Sequence, residues 1–180
     1  TTGVISGDES SATQAVVIPG FADDDNSKLS VTLDVGGLGM LKSVLQYIFD
    51  YPYDCLEQRS IKLMPLILFG DKINNLGLDK KVGDVSKTVK TFFKDLAKLQ
   101  HPDGGFGYWE KSVQSNVYVS MRLAEVWKMA KDAGFSEKDL AIDIKMLASY
   151  LQDQLAQMKD CGNEEKLEVC RVLSLLGENV

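Results

Sequence analysis

Tyr51-Pro52-Tyr53-Asp54-Cys55-Leu56-Glu57-Gln58 divides two helical patterns and carries the most reactive pair of side chains in the sequence. Upstream, Leu38, Leu41, Leu45 and Ile48 recur at spacings of three and four, the signature of a helix with one apolar face, and Pro52 stops it. Downstream a second helix is expected from Cys55 toward Phe69-Gly70, bent at Pro65 by the loss of one amide donor. Asp54-x-x-Glu57 reads as a capping box, with the Asp54 carboxylate accepting from the Glu57 amide and Cys55 in the first helical turn. A helix N-terminus lowers a thiol pKa, whereas Asp54 adds negative charge beside the sulfur. Residues i and i+3 are neighbours on a helix surface, so the Cys55 thiol and the Gln58 carboxamide can condense, losing ammonia, into an internal thioester. Such a bond is a stored acylating agent. The ordinary alternative is a buried cysteine near a surface glutamine.

Working outward, further helices are expected over Asp84 to Gln100, with Val85, Val89, Phe92, Phe93, Leu96 and Leu99 apolar, and over Ser115 to Ala133, closed by Gly134. Ser136-x-x-Asp139 opens a segment through Met158, and Asn163 opens a last helix ending at Gly177. Before the helices, Ala15–Pro19 and Lys28–Val35 read as two short strands around the acidic turn Asp23–Asn26, after a Ser/Thr/Gly-rich start. That turn is expected to be a solvated loop, because its spacing fits no calcium loop. The expected class is mainly α: antiparallel helical hairpins, as in part of an α/α toroid, preceded by a short β-strand segment, with residues 1–35 as linker and strands and 36–180 as the helical domain.

The chain's 180 residues are 44% hydrophobic and 26% charged, enough to bury a core. A net charge of -6 with scattered Lys and Arg argues against nucleic acid as a partner. No run approaches the ~20 apolar residues that cross a bilayer. One histidine and no paired Cys-x-x-Cys leave no metal or cofactor site to expect. With Cys55 committed, Cys161 and Cys170 remain either as a disulfide pair or as small buried hydrophobes.

The octapeptide closely resembles YPYGCLEQ, the thioester segment of bacterial members of the alpha-2-macroglobulin family, departing from it only at Asp54. Leu99-Gln100-His101-Pro102-Asp103-Gly104-Gly105-Phe106-Gly107-Tyr108-Trp109 resembles that family's LQ-x-x-DGGFGYW loop. The resemblance runs from about residue 28 to residue 135. It implies a fragment of an exported envelope protein, periplasmic or cell-surface, whose helical domain is a full toroid of which this chain holds about half, with an adjoining β-rich flap. It also implies that Cys55 and Gln58 form the thioester, and that the protein is a trap rather than an enzyme. An attacking protease would be captured covalently through its amine nucleophiles, with other domains of the parent chain as further partners and the membrane reached only through an anchor outside this chain.

Water must be kept from such a bond, and Tyr51, Tyr53, Phe106, Tyr108 and Trp109 are the aromatic candidates for shielding it. Glu57 is either a general base for forming or opening the thioester or simply the capping-box partner of Asp54. His101 precedes Pro-Asp-Gly and reads as an exposed turn residue, so no catalytic histidine is carried over. Competing readings are a covalent adhesin, a helical interaction domain that has lost its thioester, and a terpenoid-cyclase-like enzyme, which lacks an acidic ionisation motif among the helices.

Overall fold

The computed structural model describes residues 13, 15–23, 25–28, 38–158 and 162–179. The chain divides into two compact units, Thr1–Leu33 and Asp34–Val180. In the first, the described residues form no strand. Ala15–Pro19 lacks strand structure, and the second expected strand lies, apart from Lys28, outside the described residues. The acidic turn is a local hydrogen-bonded loop: the Asp23 carboxylate accepts from the Asp25 amide at 3.0 Å and from the Asn26 side chain at 2.5 Å. Those bonds hold the Asp23 carboxyl below its usual range.

Among the described residues of the second unit, all regular structure is helical. Its long helices are α1 (Leu38–Asp50), α2 (Leu56–Phe69), α4 (Val85–Leu96), α5 (Val117–Asp132), α6 (Ile144–Gln157) and α7 (Asn163–Leu176). A short α3 (Asp79–Val82) and two 3₁₀ turns, Gly70–Leu76 and Ala97–Leu99, fill the connections. The turn at Gly70–Leu76 was not expected from the sequence. It buries Ile73 completely, and Gly77 ends it in the left-handed conformation.

Helix α5 is the hub. It packs against α2, α6 and α7, while α2 also meets α1 and α4. Burial of Val119, Leu123, Ala124, Val126 and Ala130 to zero exposure shows why: its residues face neighbours on several sides, unlike an amphipathic surface helix. In contrast, α4 shows one clean apolar stripe, Val85, Val89, Phe92, Phe93 and Leu96, all buried.

Caps account for most boundaries. Asp84 accepts from the Lys87 amide at 2.8 Å and starts α4. Gly134 (φ +95°) closes α5, as expected, with the Phe135 amide reaching back to the Ala130 carbonyl at 3.1 Å. Gly177 ends α7 in the same left-handed conformation. Two starts differ from expectation. Helix α5 is capped by Asn116, not Ser115, because the Asn116 side chain accepts from the Val119 amide at 3.1 Å. Ser136 and Asp139 do bond to each other, at 2.7 Å, but they make only a turn. Helix α6 begins at Ile144, where Asp143 takes the Met146 amide at 3.0 Å. Ser136 and Asp143 compete as caps for the same helix, and the one followed by the buried pair Leu147 and Ala148 wins.

The described residues are thus mainly α, with α1 against α2, α2 against α4, α5 against α6 and α6 against α7, while α5 packs on α2. The ring arrangement remains an implication of the resemblance, and the pairing of Cys161 with Cys170 lies outside the described residues.

Leu123→Ala, which empties a fully buried position on α5, is expected to lower unfolding free energy by about 3 kcal/mol in urea titrations. Lys128→Ala, which removes only the partly exposed pair with Asp132, should cost no more than about 0.5 kcal/mol.

Candidate functional site

Helix α2 starts one residue later than the sequence pattern suggested. Cys55, with extended backbone (φ -67°, ψ 164°), is the cap residue, and Gln58 is the third helical residue. The capping box therefore belongs to Cys55 and Gln58, not to Asp54 and Glu57. The Cys55 side chain faces the Gln58 backbone amide, while the Gln58 carboxamide oxygen folds back to accept from the Cys55 backbone amide at 3.4 Å. In a capping box each side chain reaches back to the other residue's backbone amide. Sulfur and carboxamide thus both turn to the helix start, and Cys55 is only 5% exposed.

Freed from capping, the other two acidic groups take different roles. Asp54, exposed, lies 3.6 Å from Lys62, whose ammonium offsets the negative charge that Asp54 puts beside the sulfur. The Glu57 carboxylate accepts a hydrogen bond from the Tyr118 hydroxyl on α5 at 3.1 Å.

The glycine-rich loop approaches from the opposite side. The Leu56 amide, one of the donors that the first turn of a helix leaves without an intrahelical partner, donates to the Tyr108 carbonyl at 2.9 Å. The loop itself is held by polar contacts. The Phe106 amide donates to buried Ser120 Oγ at 2.9 Å, and the Asn116 amide donates to the Phe106 carbonyl at 2.8 Å. Asp103 accepts from the Gly105 amide at 3.0 Å and from Ser115 Oγ at 2.7 Å. His101 Nδ1 stands 3.0 Å from Ser115 Oγ, so the histidine serves the loop rather than the sulfur. Gln100 ties the loop to α6, its amide nitrogen donating to the Gly104 and Asp143 carbonyls at 2.9 Å each. Gly104 has φ +89°, and a Cβ there would collide with the Met146 carbonyl oxygen. At Gly105 a Cβ would sit 2.6 Å from that of Ser115. Glycine is required at both places by close approach.

The aromatic candidates separate into two groups. Tyr53 is 61% exposed and Trp109 59% exposed, so within this chain neither covers the sulfur. Tyr51 stacks obliquely between Tyr47 and Tyr53, with ring centroids 6.0 and 5.5 Å away. Phe106 is fully buried in the core. Tyr108 is the aromatic group that senses the site. Partial burial pushes its phenol above the usual range, and the neighbouring Glu57, Tyr118 and Cys55 push it further in the same direction.

Tyr118 and Arg122 escaped the sequence reading. The available signal was their i, i+4 spacing in the first turns of α5, which is weak without knowing that α5 lies against α2. Arg122 lies 5.8 Å from the centre of the Tyr118 ring and pairs with Glu125 at 2.7 Å. Glu125 in turn contacts Arg171 of α7, which also holds Glu168 at 2.6 Å. Contact with the Tyr118 hydroxyl, opposed by burial and aided by Glu125, holds Arg122 in its cationic form. Among the described residues no group of three or more His, Cys, Asp or Glu could hold a metal ion.

Comparison with known proteins agrees with the motif. The chain is 28% identical over 126 residues to thioester-containing protein 1 of Anopheles gambiae, a match covering 66% of this chain and 9% of that protein. It is 31% identical over 116 residues to the alpha-2-macroglobulin of Xylella fastidiosa, covering 63% and 7%. The chain is a homologue of the alpha-2-macroglobulins. Its similarity to the Escherichia coli alpha-2-macroglobulin, 28% over 107 residues, covers 57% of the chain and 6% of that protein. The chain therefore spans less than a tenth of the length of the relatives it matches. No family profile matches it, and no solved structure matches it significantly. No helix among the described residues of this alpha-2-macroglobulin homologue is long and apolar enough to cross a membrane.

Gly104→Ala is expected to destabilise the domain by more than about 2 kcal/mol, because left-handed strain and a backbone clash coincide. Gly134→Ala, with the same sign of φ but open space around the position, should cost about 1 kcal/mol. Chemical denaturation of the two variants decides this. Tyr108 and buried Tyr150 both ionise above the ordinary tyrosine range, Tyr150 chiefly through burial. The folded state therefore holds these protons more tightly than the unfolded chain. Their contribution to stability is complete below a pH of about 10 and is lost as pH rises through the raised folded values. Tyr150→Phe should flatten that alkaline decline in a pH series of melting temperatures.

Proposed function

We propose that Cys55 and Gln58 form an internal thioester, and that this chain is part of the thioester domain of an alpha-2-macroglobulin-like protease trap. The observation that carries the reading is the cap geometry: the Gln58 carboxamide folds back to within 3.4 Å of the Cys55 amide nitrogen, beside a sulfur that is 5% exposed. Bond formation is a transfer without an added reagent. The Cys55 thiol attacks the Gln58 carboxamide carbon, the C–N bond breaks, and the nitrogen leaves as ammonia carrying the thiol proton.

Capture reverses the sense of the exchange. An amine on the attacking protease adds to the Gln58 carbonyl carbon, the C–S bond breaks, and an amide joins the two proteins. The amine must lose a proton and the departing Cys55 sulfur must gain one. Glu57 takes the first and returns it as the second, a role supported by its release from helix capping. Tyr108, whose phenol keeps its proton at physiological pH, adds a polar hydrogen beside the departing sulfur. A protease held by the rest of the parent protein presents its lysines at high effective concentration, and this lets aminolysis outrun hydrolysis. Under this reading exposed Tyr53 and Trp109, with half-buried Tyr51 against Tyr53, form an aromatic rim over which another part of the parent closes. The parent is placed in the periplasm or cell envelope, where proteases arrive from outside.

Intact mass tests the bond. The isolated chain should be about 17 Da lighter than its sequence mass, and methylamine should abolish the deficit while releasing one thiol. Cys55→Ala and Gln58→Glu should each remove the deficit. A full-mass wild-type chain whose Cys55 reacts at once with a thiol reagent would count against the thioester and favour a helical interaction domain.

A further inference from the structure

The group that aims Glu57 sits on a different helix, sixty-one residues away in the chain. Tyr118 occupies the first turn of α5, and its hydroxyl donates to Glu57 Oε1 at 3.1 Å. That bond engages one carboxylate oxygen, and proton exchange falls to the other, Oε2. Tyr118 is itself held. The Arg122 guanidinium lies 5.8 Å from its ring centre, and Arg122 is anchored through Glu125 to Arg171 on α7. Glu125 is the least exposed member of this chain of charges, with a side chain 13% accessible, so the anchor is not a loose surface pair. Glu57, Tyr118 and Cys55 each act on the Tyr108 phenol, which the loop brings to the start of α2 through the Leu56 amide. A carboxylate in the first turn of an exposed helix has two free torsions beyond Cβ and would otherwise sample solvent. The hydroxyl converts it into a directed proton acceptor.

We infer that Tyr118 is the positioning residue for Glu57 in the acyl-transfer step, with Arg122, Glu125 and Arg171 as its support. The inference rests on the thioester reading and deepens it. The hydroxyl does not touch the reacting atoms. It keeps Glu57 where the incoming amine must shed its proton and the departing Cys55 sulfur must gain one. A nucleophile that arrives already without a proton has no need of this arrangement.

That difference supplies the test. The 180-residue chain, shown by mass to carry the thioester, is reacted with methylamine and, separately, with a small thiolate such as 2-mercaptoethanesulfonate, and the release of Cys55 is followed for both. Tyr118→Phe, which removes one partly exposed oxygen, is expected to slow the methylamine reaction about 10-fold and to leave the thiolate reaction within about 2-fold. Glu57→Gln should show the same split, and adding Tyr118→Phe to it should cost nothing more, because the two act as one unit. Equal slowing of both nucleophiles would mean that Tyr118 only holds the helix start, and it would overturn the assignment. So would an unchanged methylamine rate, or additive effects in the double variant. A wild-type chain with no mass deficit is a separate result: it removes the thioester itself and the assignment with it. Matching thermal unfolding of the variants confirms that the comparison is made on one fold.

Discussion

The hydrogen bond from the Leu56 amide to the Tyr108 carbonyl is the constraint on which the rest of the site depends. The first turn of any helix leaves amide donors exposed, and here two different structures satisfy them. A loop far downstream supplies one acceptor, the Tyr108 carbonyl, and the Gln58 side chain bends back to the Cys55 amide. The site is therefore a helix cap put to chemical use. The same bond also fixes the loop, and with it Tyr108, against the start of α2.

For the loop to come that close, its own backbone must be accommodated by α5 and α6. Ser120, a polar residue wholly buried in the core, receives the Phe106 amide. Asp103, Ser115 and His101 form a second polar cluster that closes the loop on itself. Glycines 104 and 105 remove the side chains that would collide with Met146 and Ser115. Helix α5 thus supports the loop from beneath and sends Tyr118 forward to Glu57, so one hub helix sets both walls of the site.

Periodicity and capping chemistry made the helices legible. Each carries a clear apolar pattern with Pro, Asp or Gly at a boundary: α1 and α7 run over the residues expected, α2 and α5 shift by a residue or two at their ends, and α4 stops at Leu96, short of Gln100, where the 3₁₀ segment Ala97–Leu99 takes over. What misled was competition between adjacent caps. Asp54, Ser115 and Ser136 all have the right chemistry to start a helix, yet the caps are Cys55, Asn116 and Asp143, further along the chain, where burial of the following residues is better served. The short 3₁₀ turn at Gly70–Leu76 has no period long enough to detect. In the site, the Cys55 and Gln58 pairing was readable because i, i+3 proximity is local. Tyr118, Arg122 and Arg171 were not, since their approach to α2 is decided by tertiary packing alone. The aromatic residues illustrate the same limit: five were plausible shields, and only packing distinguishes Tyr108, near the sulfur, from Tyr53 and Trp109 at the surface.

The acceptor that caps Cys55 is the carbonyl oxygen of the Gln58 side chain. That oxygen survives unaltered whether the adjoining carbon is bonded to nitrogen as a primary amide, to sulfur as a thioester, or to a captured amine. On the thioester reading, the start of α2 therefore has the same ligand for its end before activation, while armed and after discharge. Covalent turnover at this carbon need not melt or rewind the helix that presents it.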